Sequence, residues 1–180
     1  MGFRMGRSGV PQPVRTVVSA IFADRDTLSV ALDRIAAELG PLRELGEEMS
    51  FDFTTYYDKE MGAGLRRRLL VVDGLSPPDG LPALKRMTNE LEQQTAVDGR
   101  RRVNLDPGAL SSGRFALAST KDAPHRIYLG EGIFAELTLV YQSGGFQALP
   151  WTYPDYAASG VRALLEDERR TYLSELKEAS

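Results

Sequence analysis

Between Asn104 and Tyr128 the chain sets out most of the groups able to carry polar chemistry. Asn104 and Asp106 precede Pro107-Gly108, and Thr120, Lys121 and Asp122 precede His125, Arg126 and Tyr128. A lysine and an arginine this close suit a phosphate or carboxylate, the lysine as a point charge and the arginine as a two-pronged donor. His125 is the single histidine, and an imidazole titrates near neutrality, as a general acid or base must. Asp106 or Asp122 would orient it. Glu136 lies between apolar neighbours in an alternating segment, so its burial would require a cation such as Arg126 or Lys85. Trp151, Tyr153 and Tyr156, stiffened by Pro150 and Pro154, form an aromatic segment. It can stack on a base or sugar, or pack as a lid over a sheet edge. The expected acid–base set is therefore His125, Asp106 and Glu136. Asn104, Thr120, Lys121, Asp122, Arg126, Tyr128, Trp151 and Tyr153 are expected around a ligand, and no metal ligand is assigned. The same residues also admit a plainer reading, a surface hairpin whose Asn104 and Asp106 satisfy turn amides.

Composition removes whole classes of mechanism. There is no cysteine, which excludes disulfide frameworks, thiolate metal sites and cysteine nucleophiles. One histidine excludes HExxH and multi-histidine centres. Lys and Arg number 22 against 25 Asp and Glu, a net −3, so there is no bulk attraction to nucleic acid. The triplets Arg66–Arg68 and Arg100–Arg102 are accordingly read as solvated charges at strand entrances rather than an RNA footprint. No apolar run approaches the roughly 20 residues a membrane helix needs. With no export signal either, a cytoplasmic protein with no membrane partner is expected.

The local motifs are weak. Gly130-Glu131-Gly132-Ile133-Phe134-Ala135 fits the loose dinucleotide pattern, but an alternating strand follows where a helix is required, so it is read as a hairpin turn. Asp24-Arg25-Asp26 is either a helix cap at Asp26 or half of a Mg²⁺ site completed by Asp52 or Asp106.

The elements that must position these groups follow from periodicity. Val14–Phe22 reads as a central strand covered on both faces. Leu28, Leu32, Ile35 and Leu39 mark a helix over 24–39 that Gly40-Pro41 ends. Met49, Phe51 and Phe53 alternate with polar residues as a half-buried strand, and Leu69–Val72 is another. A helix follows Ser76-Pro77-Pro78-Asp79-Gly80 and runs to about Thr95. Phe115–Ser119, Arg126–Leu129 and Ile133–Tyr141 are three strands, and Pro154-Asp155 opens a final helix. The predicted class is α+β, with a mainly antiparallel sheet in β-α-β-β-α-β-β-β-α order, helices packed on it and ferredoxin-like elements. Residues 1–13, rich in Gly and Pro, are read as a flexible leader and 14–178 as a single domain.

Several longer strings stand in a distinctive order: Phe51-Asp52-Phe53-Thr54 with Tyr56-Tyr57, Lys85 with Thr88-Asn89-Glu90-Leu91-Glu92, Val103-Asn104-Leu105-Asp106-Pro107-Gly108, Leu117-Ala118-Ser119-Thr120-Lys121-Asp122, His125-Arg126-Ile127-Tyr128-Leu129 and Pro150-Trp151-Thr152-Tyr153-Pro154-Asp155-Tyr156. Together they resemble the prokaryotic domain-of-unknown-function family 4416, over Pro13 to Leu176. The resemblance implies no established activity, although some members are automatically labelled GTP-binding proteins. A P-loop needs GxxxxGK[ST], and the chain has no Gly-Lys pair. Thr120-Lys121-Asp122 lacks the spacer of the guanine-reading [NT]KxD, so a standard GTPase is not expected. The expected function is a polar cleft for a small anionic, phosphate-bearing ligand, a nucleotide with Mg²⁺ included, with hydrolysis or group transfer as its chemistry. The alternative is a non-enzymatic protein that docks a protein or RNA partner.

Overall fold

The computed structural model describes residues 8–178; residues 1–7 of the expected leader lie outside them. Strand β1 (Arg15–Phe22) is buried along its whole length, as its β-branched, non-alternating sequence requires. Helix α1 (Arg25–Leu39) begins one cap earlier than expected: Asp24, not Asp26, holds the cap position and accepts from the Asp26 N–H at 3.1 Å. Gly40, at φ +101°, ends the helix with a conformation that a side chain would disfavour. There follow β2 (Leu42–Glu44), β3 (Met49–Ser50), the short α2 (Asp58–Met61), β4 (Arg66–Val72) and α3 (Leu81–Gln94). The second half comprises β5 (Val103–Leu110), β6 (Arg114–Ser119), β7 (Arg126–Gly130), β8 (Ile133–Gln142), β9 (Gly145–Ala148), α4 (Pro154–Ala157) and α5 (Ser159–Glu178).

All strand pairs are antiparallel and form one nine-stranded sheet of order β2-β4-β1-β5-β6-β8-β7, with β3 beside β4 and β9 beside β8. The fold is α+β. Its first half, β1-α1-β2-β4-α3-β5 in spatial order β2-β4-β1-β5, is the split β-α-β arrangement. Helices α1 and α3 bury Leu28, Ala31, Ile35 and Leu91 against Val18, Ala20, Phe22 and Leu105 on one face. On the other, Tyr156, Val161 and Leu165 of α4 and α5 cover Val17, Val71, Leu110, Phe115 and Leu139. Among the described residues no helix is long and apolar enough to cross a membrane.

Three strands lie outside the sequence reading: β2, β9 and the central β5. The Asp106-Pro107-Gly108 run predicts a turn, yet it continues inside β5. There β1 pairs the whole strand, while β6 joins only from Gly108 onward. Gly108 is required because a Cβ there would lie 2.6 Å from the Phe115 ring. Conversely, the strand expected through Phe53 stops at Ser50, because its partner β4 begins at Arg66, opposite Ser50. Phe51 and Phe53 then turn toward each other, with ring centres 5.9 Å apart, in a loop rather than on a sheet face. The last helix is two, broken at Ala158. The glycine pair before β8 is a hairpin turn, with Glu131 at φ +56° between two left-handed glycines.

Candidate functional site

The site arises from a split in the sheet. Strand β6 leaves β5 after the Gly108–Leu117 pair and follows β8, while Asn104–Asp106 stay with β1. A cavity of about 520 Å³ occupies the opening, bordered by the 51–57 loop, by α3 and by Tyr153–Tyr156.

One wall is built on α3 and β5. Lys85 donates to Asp106 Oδ1 at 2.8 Å and to the Leu105 carbonyl at 2.9 Å. Asn104 donates its amide to Asp106 Oδ2 at 2.7 Å. Burial would raise the Asp106 pKa, but the Lys85 ammonium and Asn104 amide outweigh it and hold the carboxyl below the usual range. Arg101 grips both oxygens of Glu60, at 2.8 and 2.7 Å, and also reaches Asn104 and Glu92. Glu92 accepts the Leu105 N–H at 2.6 Å, yet burial pushes its pKa up. Desolvation also raises the neighbouring Tyr57 phenol and Asp155, although Arg67 sits 2.7 Å from the latter.

The opposite wall comes from β6, β7 and β8. Arg126 donates from Nε to Glu136 Oε2 at 2.9 Å, from one terminal nitrogen to the Lys121 carbonyl at 2.8 Å, and from the other to the Tyr153 hydroxyl at 2.9 Å. Glu136 is 1 % exposed. His125 Nε2 meets the same Glu136 oxygen at 3.2 Å, while Glu136 Oε1 is buried with no hydrogen-bond partner. Lys121 stands at the rim, donating to the Tyr56 hydroxyl at 2.8 Å with its ammonium 4.9 Å from that ring's centre. This contact lowers the Tyr56 pKa.

The structure brings Asn104, Asp106, Thr120, Lys121, Arg126, Glu136 and Tyr153 into one lining. Four expected residues stand apart from it. His125 and Trp151 stack on each other behind Glu136, with ring centres 5.3 Å apart, and the Trp151 indole donates to the Leu137 carbonyl. Tyr128 is 60 % exposed on β7 and packs on Phe134; Asp122 is exposed in the preceding turn. The carboxylate on His125 is Glu136, not Asp106 or Asp122, because Asp106 is across the cavity on Lys85. The expected partner of Glu136 is Arg126, of the two considered. Asp24 serves its helix and lies outside the lining.

The basic triplets are solvated only in part: Arg100 is exposed and Arg66 and Arg68 are partly so, but the middle arginines are not free faces. Arg67 is 1 % exposed, with Tyr156 beneath its guanidinium, and Arg101 faces the cavity. Sequence reading also missed Glu92, Tyr57 and Asp155 in the lining, and it considered Lys85 only for Glu136, whereas Lys85 pairs with Asp106. A usable signal existed on α3, where Lys85, Thr88 and Glu92 repeat at helical spacing and are all buried.

Chemically, the lining can hold a small molecule with polar and flat parts. Lys85, Arg101 and Arg126 are each matched by a carboxylate, whereas the Lys121 ammonium meets a phenol. Among the described residues no group of three acidic or histidine side chains could hold a metal ion. The family model described as Domain of unknown function (DUF4416) matches residues 12–172. No curated protein and no solved structure matches the chain.

Proposed function

We propose that this chain, which belongs to the DUF4416 family, uses the cleft between β5 and β6 to bind a small anionic, phosphate-bearing ligand in the cytoplasm. The observation that carries this reading is Lys121. Among the described residues it is the one lysine or arginine of the lining that no carboxylate matches, and its side chain is exposed at the cavity. An incoming phosphate needs only to displace a phenol contact, not to break an ion pair. Arg126 lies alongside, tied to the Lys121 carbonyl. Tyr56, Tyr57, Phe53 and Tyr153 add aromatic surface on which a nucleobase would stack. The reading is one of binding: His125 stands outside the lining, with Glu136 between it and the cavity.

The test is thermal melting of the wild type and Lys121→Ala with inorganic phosphate, AMP and GMP. Ligand at 100 times Kd stabilises by about 2.7 kcal/mol, roughly 5–10 °C for a chain of this size. Lys121→Ala should keep its own melting temperature and, at the same ligand concentration, lose about half of the ligand shift. No shift of the wild type with any of the three rejects the proposal.

A further inference from the structure

We infer that Glu136 Oε1 is the cleft's reader of a neutral hydrogen-bond donor, so that the ligand carries a hydroxyl or N–H beside its anionic group. This rests on the binding reading above and narrows its ligand class. Glu136 lines the cavity and is 1 % exposed, and its two oxygens differ. Oε2 accepts from Arg126 Nε and Nη2 and faces His125; Oε1 is buried without a partner. A buried carboxylate oxygen left unpaired loses its hydration without return, so a site that keeps one is completed by a donor from elsewhere. The neighbouring groups select the kind of donor. Arg126 already neutralises Glu136 and Lys121 adds positive charge at the rim, so a second cation on Oε1 would face two like charges. A hydroxyl or amide-type N–H carries no such penalty. Arg126 also links the two residues: it donates to the Lys121 carbonyl and to Glu136, and all three line the same cavity. The class is therefore a hydroxyl- or N–H-bearing phosphate, as in a sugar phosphate or nucleotide, rather than phosphate alone or a phosphorylated amine.

Three probes of similar size and the same head group test this by calorimetry on the full chain: propyl phosphate, glycerol 3-phosphate and phosphoethanolamine. The expected result is glycerol 3-phosphate binding about tenfold tighter than propyl phosphate, the range for a hydrogen bond to a charged group. Phosphoethanolamine should gain nothing over propyl phosphate. In Glu136→Gln the amide oxygen is drawn to Arg126 and the NH₂ takes the Oε1 position, a donor facing a donor. The glycerol preference should then vanish while propyl phosphate still binds. Equal affinities in the wild type overturn this inference and leave the parent reading standing, as does a preference that survives in Glu136→Gln or a preference for the amine. Absence of binding by all three overturns both. If Glu136→Gln does not fold, the wild-type ranking decides alone.

Discussion

Two of the clusters of buried charge among the described residues end differently. Beside α5, Arg15 and Glu168 are both 1 % exposed, with Arg15 Nε 2.8 Å from Glu168 Oε1. Arg43 takes the other Glu168 oxygen, and Arg15 also reaches Glu175 and the Gly74 carbonyl. In the cleft, Glu136 is as deeply buried and is likewise paired with an arginine, but only one of its oxygens is used. In the first cluster Arg15 Nε and Nη2 and Glu168 Oε1 make no hydrogen bond but meet one another or Glu175 as ion pairs, and none of these residues borders the cavity; in the second Glu136 lines the cavity with one buried oxygen that has no hydrogen bond. Buried charge alone therefore does not mark a site, because a saturated pair is a structural solution to desolvation. What separates the two is the surroundings of the atoms without a hydrogen bond: in the first cluster they face an opposite charge, while Glu136 borders a cavity.

The largest expected effect tests the closed cluster. Arg15→Met leaves Glu168 buried with Arg43 alone, and breaking such a pair costs about 3–5 kcal/mol. Urea unfolding should report that loss, and melting should fall by roughly 10 °C, with phosphate affinity of the folded protein unchanged. A variant that kept its stability but lost binding would break the contrast. Next comes Asp106→Asn in the cleft wall, expected to lower stability by about 2 kcal/mol through the unmatched Lys85 ammonium. Its pH signature is specific. Asp106 has a folded pKa below its ordinary value, so its stabilisation is fully present above pH ~4 and is lost as pH falls through the folded pKa. The variant should therefore lose less stability than the wild type between pH ~4 and ~2. Glu92, raised by burial, works with the opposite sign: its contribution is present at low pH and lost as pH rises through its folded pKa. In Glu92→Gln that loss should be missing.

The elements with strong local periodicity were the easier to read, in the core and in the cleft walls alike. The core strand, the first two long helices and the strands β6, β7 and β8 follow from local periodicity, which is set by neighbours along the chain; the expected sequential meander does not form, because β8 lies between β6 and β7. The opening between β5 and β6 was not legible, because Asp106-Pro107-Gly108 has turn chemistry and only the pairing with β1 makes it a strand. The same limit applies to the site. Residues from 104 to 136 could be grouped by sequence proximity, and six of those expected there share the lining, with Tyr153 joining them from farther along. Lys85 and Arg101 join them only through the docking of α3 on β5 and the Glu60 contact, which periodicity does not report. His125 misled for a related reason: its rarity drew attention, while its ring is spent on Trp151 and Glu136.

Smaller effects sharpen the same contrast at the rim. Lys121→Ala removes an exposed ammonium whose partner is a phenol, so stability should change by no more than about 0.5 kcal/mol. Phosphate-probe affinity should fall by about tenfold, since a charge-assisted bond is lost. This is the inverse of Arg15→Met: little stability, much binding.

The smallest effect belongs to Tyr128→Phe. Tyr128 sits on the outer strand, and its hydroxyl accepts only a long 3.3 Å contact from the Gly132 N–H, while its ring rests on Phe134. The substitution keeps the ring and deletes the oxygen. Melting and phosphate-probe affinity should both match the wild type, within about 0.5 kcal/mol and a factor of two. A tenfold loss of affinity would mean that the ligand reaches past Glu136 to the far side of β7. The line between spent and available polar groups would then have to be drawn outside the cavity, not at its wall.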